Sequence, residues 1–112
     1  MKEIKAIIRP NKLSTLRARL MEIPNFPGMT VVKAEGCTGN IRHVSSGNKI
    51  KDELTDFTAK VFVTIIAPDE ITDPLVERII NVAQSGQIGD GLVWVTDVEK
   101  ASFIYKSTAP ER

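Results

Sequence analysis

Residues 60–67, KVFVTIIA, form an extended segment with apolar side chains on both sides. In a strand successive side chains point to opposite faces, so Val61, Val63 and Ile65 share one face and Phe62 lies on the other. A sheet that carries helices on one side only usually exposes polar residues on its other side. The two-sided pattern therefore predicts that other subunits cover the helix-free face in a closed homo-oligomer.

Strand patterns and helix patterns alternate along the rest of the chain. Strands are predicted over residues 2–9, 29–34, 60–67 and 92–98. With one helix in each half, this order predicts an α+β fold of the ferredoxin-like type, with two split βαβ halves and an antiparallel sheet. The chain reads as a single domain over residues 1–112, with a long loop at about 37–58 between the second and third strands. A C-terminal tail follows over residues 99–112, in which the apolar patch Phe103-Ile104-Tyr105 is predicted to add a short strand.

Capping residues predict the helix boundaries. Asn11 is the predicted N-cap of the first helix, which ends before Pro24. Asp73 is the predicted N-cap of the second helix, with Pro74 at its first helical position and Gly86 just after its C-terminal cap. The second helix is predicted to bury Leu75, Val76, Ile79, Ile80 and Ala83.

The charge balance and the apolar runs exclude several classes of protein. The chain has 15 Lys and Arg residues against 14 Asp and Glu, a net charge of +1, which argues against nucleic acid as the main partner. No apolar run reaches the roughly 18–20 residues that span a bilayer, and no signal peptide precedes the first strand, so a cytoplasmic protein is predicted. A single cysteine cannot form an internal disulfide.

Cys37 and His43 are the residues from which a nucleophilic or metal site would be built. A Cys–His catalytic pair needs an orienting group, which Asp52, Glu53 or Asp56 could supply, and a metal ion could use the same side chains. Neither hypothesis has a flanking motif to support it. The favoured interpretation is a small buried thiol beside a solvated imidazole.

Three glycines within six residues mark the segment 84–91, QSGQIGDG. The segment follows a helix and precedes a strand, which is the reverse of a P-loop, so phosphate-binding motifs of that kind do not apply. A turn after the helix explains part of the pattern. Glycines also free backbone N–H groups to point at an anion, so an anion site is the functional alternative.

Several stretches together resemble the PII signal-transduction family: residues 2–13 (KEIKAIIRPNKL), 27–36 (PGMTVVKAEG) and 83–98 (AQSGQIGDGLVWVTDV). The resemblance implies a non-enzymatic homotrimer that binds adenine nucleotides in clefts between subunits and signals to a target protein through the loop 37–58. The positions that match the family's nucleotide cleft are Ile7, Thr30, Gly36, Lys60, Gly89, Asp90 and Gly91. The loop residues implied for target binding are Asn40, Arg42, His43, Ser45 and Ser46.

The chain also departs from the family pattern at its phosphate site. Leu92, Phe103 and Tyr105 stand where the family usually presents three cations. Each charge-assisted contact to phosphate is worth about 1.5–3 kcal/mol, so the departures predict weak binding of ATP. ADP, AMP, another anion or no nucleotide remain as alternatives for the effector.

Divergent members of this family are associated with membrane transporters, so the resemblance suggests a transporter as the target. Two alternatives to this nucleotide-sensing regulator stay open. One is a metal-responsive trimer that uses Cys37 and His43, linked to metal tolerance, and the other is a small cysteine-dependent enzyme.

Overall fold

Strands of one antiparallel sheet dominate the part of the chain that the computed structural model describes, residues 1–39 and 57–106. The strands are β1 (Lys2–Ile8), β2 (Thr30–Gly36), β3 (Thr58–Ala67) and β4 (Leu92–Asp97), and their order in the sheet is β2-β3-β1-β4. The helices are α1 (Leu13–Met21) and α2 (Asp69–Ala83). This arrangement confirms the predicted α+β fold of the ferredoxin-like type with an antiparallel sheet. Neither helix among the described residues is long and apolar enough to cross a membrane.

The core lies between the two helices and one face of the sheet. β1 pairs with both β3 and β4, and the register sets Ala6 opposite Val63 and Val93. Even-numbered residues of β1 and odd-numbered residues of β3 and β4 therefore share the covered face. The buried apolar side chains of this core are Ile4, Ala6, Ile8, Leu16, Leu20, Ile23, Val61, Val63, Ile65, Ala67, Leu75, Ile79, Val82 and Ala83.

The opposite face of the sheet also carries apolar side chains, as the alternation in β3 predicts. Ile7 lies opposite Phe62 on β3 and Leu92 on β4. The rings of Phe62 and Trp94 meet across β1 with their centroids 6.0 Å apart. Val32 and Leu92 are each 57% exposed. Both helices pack on the other side of the sheet, so they do not cover this face.

Helix α2 begins five residues earlier than predicted, with Pro68 and not Asp73 as its N-cap. Pro68 has an extended backbone at the N-cap position, and the Thr72 hydroxyl donates a hydrogen bond to its carbonyl oxygen at 3.0 Å. Asp73 and Pro74 lie inside the helix, so their assignment as cap and first position was wrong. Because proline lacks an N–H, Pro74 cannot donate to the carbonyl of Glu70, a loss that the helix accommodates through its packing on the sheet.

The buried face of α2 also differs from the prediction. Ile80 is 44% exposed, whereas Val82 is buried. Val76 packs at the margin of the core. Leu75, Ile79 and Val82 form the buried face, because α2 packs against both α1 and β1, so this face is rotated toward Val82 and away from Ile80.

Three smaller expectations at element ends were wrong. Asn11 does not cap α1, because it lies in a 3-10 turn (Pro10–Lys12) that precedes the helix. Gly86 is two residues past the C-cap of α2, Gln84, and takes its positive φ in the following loop. Phe103 to Tyr105 add no strand; a 3-10 turn covers Ile104–Lys106 instead.

Cys37 is exposed, so the predicted burial of its thiol was also wrong. The physical reason is its position just after β2, a strand at the edge of the sheet. Gly36 pairs with Thr58, so the segment between β2 and β3 leaves and re-enters the sheet at adjacent points.

Candidate functional site

The loop that joins α2 to β4, residues 84–91, is called the glycine loop below. Gly86, Gly89 and Gly91 all have φ values between +83° and +108°, a region that residues with a side chain rarely adopt. At position 91 a steric constraint also requires glycine. A Cβ atom at this position would lie 1.7 Å from the carbonyl oxygen of Ile7, so only glycine lets β4 begin this close to β1.

Asp90 ties the two ends of the glycine loop together. Its carboxylate accepts hydrogen bonds from the backbone N–H groups of Ser85 at 2.6 Å and Gly86 at 2.9 Å, and from the Ser85 hydroxyl at 2.5 Å. These bonds to Ser85, with smaller contributions from Gly86 and the Arg9 guanidinium, hold the pKa of Asp90 well below the usual value for an aspartate. The carboxylate is therefore charged at neutral pH, and it stabilises the loop through hydrogen bonds from Ser85 and Gly86.

Two cations hold the glycine loop from outside. Arg9, just after β1, pairs with the Asp90 carboxylate at 2.6 Å and donates to the Ile88 carbonyl at 3.1 Å. Lys60 on β3 donates from Nζ to the Gly89 carbonyl at 2.8 Å. Arg9 also donates to the Ser85 hydroxyl, and neither Arg9 nor Ser85 was among the residues predicted for the site. The only sequence signal for Arg9 is a basic residue at the end of a strand, which does not reveal its partners.

A cavity of about 240 Å³ opens beside the loop on the helix-free side of the sheet. It combines apolar walls with the Lys60 ammonium and glycine backbone, a composition suited to a ligand that is partly apolar and partly anionic. The residues that line it are Ile7, Gly36, Cys37, Thr38, Lys60, Gly89, Gly91 and Leu92.

Five of the seven residues predicted for a nucleotide cleft line this one cavity: Ile7, Gly36, Lys60, Gly89 and Gly91. The other two do not. Asp90 turns its carboxylate toward Ser85 and contributes to a separate cavity of about 220 Å³ beside α2. Thr30 pairs with Thr64 at the far end of β2, about 20 Å along the strand from Gly36.

The predicted target-binding residues Asn40, Arg42, His43, Ser45 and Ser46 lie outside the described residues. The Cys37–His43 metal hypothesis can therefore be followed only at Cys37, which is exposed at the rim of the cavity. Within residues 1–39 and 57–106, no group of three His, Cys, Asp or Glu side chains is placed to hold a metal ion.

The C-terminal turn lies away from the cavity. Phe103 and Tyr105 border a different groove, which they share with Phe26 and Pro68. The Lys106 ammonium lies 5.4 Å from the centre of the Phe103 ring and 5.8 Å from that of Tyr105. Within its described part, residues 99–106, the tail therefore adds none of the residues that line the cavity.

The sequence profile described as "Nitrogen regulatory protein P-II" matches residues 1–108. The chain is 40% identical over 100 residues to nitrogen regulatory protein P-II 1 of Escherichia coli (strain K12), a match that covers 89% of this chain and 88% of that protein. It is 38% identical over 101 residues to the nitrogen regulatory protein P-II of Haemophilus influenzae (90% and 88% covered) and 39% identical over 100 residues to that of Klebsiella oxytoca (89% and 88% covered). Proteins of this kind regulate signalling and are not enzymes. The fold, the glycine loop and these matches together show that the chain belongs to the nitrogen regulatory protein P-II family.

Proposed function

We propose that this chain binds a small anionic effector, an adenine nucleotide of low charge such as AMP or ADP, in the cavity beside the glycine loop. The observation that carries the proposal is the convergence of Lys60, Gly89 and Gly91 with the apolar side chain of Ile7 in one cavity. An ammonium group and glycine backbone suit a phosphate, and apolar walls suit a base or sugar.

The charge around the cavity supports a ligand of low charge. Lys60 is the lysine that lines it, and Leu92 adds an apolar wall where the family resemblance implies a cation. Arg9 lies close by, but the Asp90 carboxylate offsets its charge. The negative charge that Lys60 leaves unbalanced grows from AMP to ADP to ATP, so AMP and ADP are expected to bind better than ATP.

We further propose that the chain assembles as a homotrimer through the helix-free face of its sheet. The cavity of about 240 Å³ falls below the usual range of roughly 300–1,000 Å³ for ligand sites, so a second copy would complete it. Thr30 is too far from Gly36 to reach the cavity of its own chain, and a neighbouring subunit offers a way to bring it there. The partly buried apolar face around Phe62 and Trp94 also suits contact between subunits.

The segment between β2 and β3 is the proposed contact with a target protein. Gly36, Cys37 and Thr38 line the cavity at one end of this segment, and Lys60 lies two residues past its return point at Thr58. A ligand in the cavity would therefore contact both ends of the segment and bias its conformation. By analogy with divergent family members, the proposed target is a membrane transporter.

A thermal-shift panel tests the effector. AMP or ADP at a hundred times its dissociation constant should stabilise the protein by about 2.7 kcal/mol and raise Tm by several degrees, whereas ATP at the same concentration should give a smaller shift. A larger shift with ATP would contradict the low-charge effector. A shift with divalent metals alone would favour the Cys37–His43 alternative, and no shift with any nucleotide would argue against an adenine effector.

Light scattering tests the trimer. The protein at micromolar concentration should give about three times the chain mass of 12.4 kDa. Val32→Lys, which places a charge on the helix-free face, should lower the mass toward that of a monomer, because an unpaired buried lysine is costly. Met21→Lys is the matched control, since Met21 is similarly exposed at 58% but lies on α1. A monomeric unmodified protein, or equal masses for both variants, would argue against this interface.

A further inference from the structure

Arg9 connects the end of β1 to three parts of the glycine loop with one side chain. Its Nη1 donates to the Asp90 carboxylate at 2.6 Å and to the Ser85 hydroxyl at 3.2 Å, and its Nη2 donates to the Ile88 carbonyl at 3.1 Å. The planar guanidinium suits this task because its several N–H groups point in fixed directions. One residue just after β1 thus holds both the start and the end of the loop.

We infer that Arg9 is a positioning residue, which holds the glycine loop in the shape that lets Gly89 and Gly91 line the cavity. The inference rests on the proposed function only in treating that cavity as the ligand site. Arg9 packs directly on the loop backbone: a Cβ atom on Gly89 would lie only 3.0 Å from the Nη2 atom of Arg9. Lys60 holds the same peptide group through the Gly89 carbonyl.

The loop depends on these anchors because it has little regular structure of its own. Its internal backbone bonds include a turn from the Asp90 N–H to the Gln87 carbonyl, at 3.2 Å. Glycine has more backbone conformational freedom than other residues, and the loop contains three glycines, each with positive φ. Fixing the loop in one conformation is therefore entropically costly. Anchors that are already in place before the ligand arrives reduce the cost of binding.

Arg9 acts through the loop and not through the ligand. It does not line the cavity, and its charge is matched by Asp90, with which it forms a partly buried pair. Lysine would keep the charge but has a single nitrogen, so it cannot reach Asp90 and the Ile88 carbonyl in the same fixed geometry. This predicts that Arg9→Lys retains only part of the function of Arg9.

Hydrogen–deuterium exchange on the 112-residue chain, measured without added ligand, tests the inference. In Arg9→Met we expect exchange across residues 84–91 to rise by about tenfold, with β3 unchanged, and Arg9→Lys should fall between Arg9→Met and the unmodified protein. Arg17→Met is the matched control, since Arg17 is exposed on α1, and it should leave the loop unchanged. AMP titrations of the same four proteins should give affinities in the same order, with a loss of about tenfold for Arg9→Met.

Each result supports or overturns the inference. Unchanged loop exchange in Arg9→Met, or AMP affinity equal to that of the unmodified protein, would overturn it. Faster exchange throughout the sheet in both Arg9 variants would also overturn it, because Arg9 would then support the whole fold. If the unmodified protein binds no nucleotide but loop exchange rises as expected, the positioning role of Arg9 stands and the proposed effector fails.

Discussion

Replacing Gly91 with alanine is expected to lower the free energy of unfolding by about 3 kcal/mol or more. The left-handed φ of +108° costs a residue with a side chain about 1–2 kcal/mol. The added Cβ would also lie 1.7 Å from the Ile7 carbonyl oxygen and 2.8 Å from the Ile7 carbonyl carbon. Both neighbours are backbone atoms of the central strand β1, so they cannot rotate away as a side chain could. The steric overlap can be relieved only if β1 and β4 move apart beside the cavity.

Gly28→Ala provides the matched control for this prediction. Gly28 has almost the same φ, +104°, but a Cβ there would meet no atom within 4 Å. The difference between the two variants therefore isolates the overlap with Ile7 from the cost of the dihedral angle. Urea unfolding, followed through the single tryptophan Trp94 at one fixed protein concentration, measures both losses. Equal losses to within about 0.5 kcal/mol would show that β4 shifts freely and would refute the close contact.

The sheet could be predicted from the sequence because strand alternation is a local pattern with a direct structural meaning. Ile4, Ala6 and Ile8 recur at every second position, and all three are buried. The alternation in β3 likewise separates the buried Val63 from Phe62, which lies on the other face. Burial of one face fixes the register of each strand, so little outside information is needed.

The start of α2 could not be predicted in the same way, because two alternative caps compete within a few residues. Asp73-Pro74 is a good local start signal, and Pro68 followed by two acidic residues is another. Packing decides between them. Only the earlier start adds the turn in which Thr72 becomes buried and its hydroxyl bonds to the Pro68 carbonyl.

The candidate site was predictable only in part, because its glycines form a local pattern whereas their partners are distant along the chain. The glycines of residues 84–91 form a cluster visible in the sequence, and glycine readily adopts the positive φ values observed there. The partners of the cluster are Arg9, just after β1, and Lys60 on β3, both more than 20 residues away along the chain. Only the sheet register shows that Arg9 and Lys60 reach it, and the same register shows that Thr30 does not.

Lys60→Met is expected to reduce the affinity for AMP by about tenfold to a hundredfold. A charge-assisted contact to a phosphate is worth about 1.5–3 kcal/mol, and the Lys60 ammonium is the lysine charge that lines the cavity. Methionine keeps the length and the apolar stem of the side chain, so the walls of the cavity are largely preserved. Isothermal titration calorimetry at low salt measures the loss, which should shrink as salt is added to both proteins.

The loss should exceed what the lysine contributes to the fold. The Lys60 ammonium donates to the Gly89 carbonyl, and water can replace that bond once methionine is substituted, so the stability of Lys60→Met should change by less than about 1 kcal/mol. Lys33→Met, at an exposed position on β2, should change neither property. If Lys60→Met bound AMP as tightly as the unmodified protein, the phosphate would have to lie elsewhere. If Lys33→Met lost as much affinity, attraction by the overall charge, and not a contact in the cavity, would account for binding.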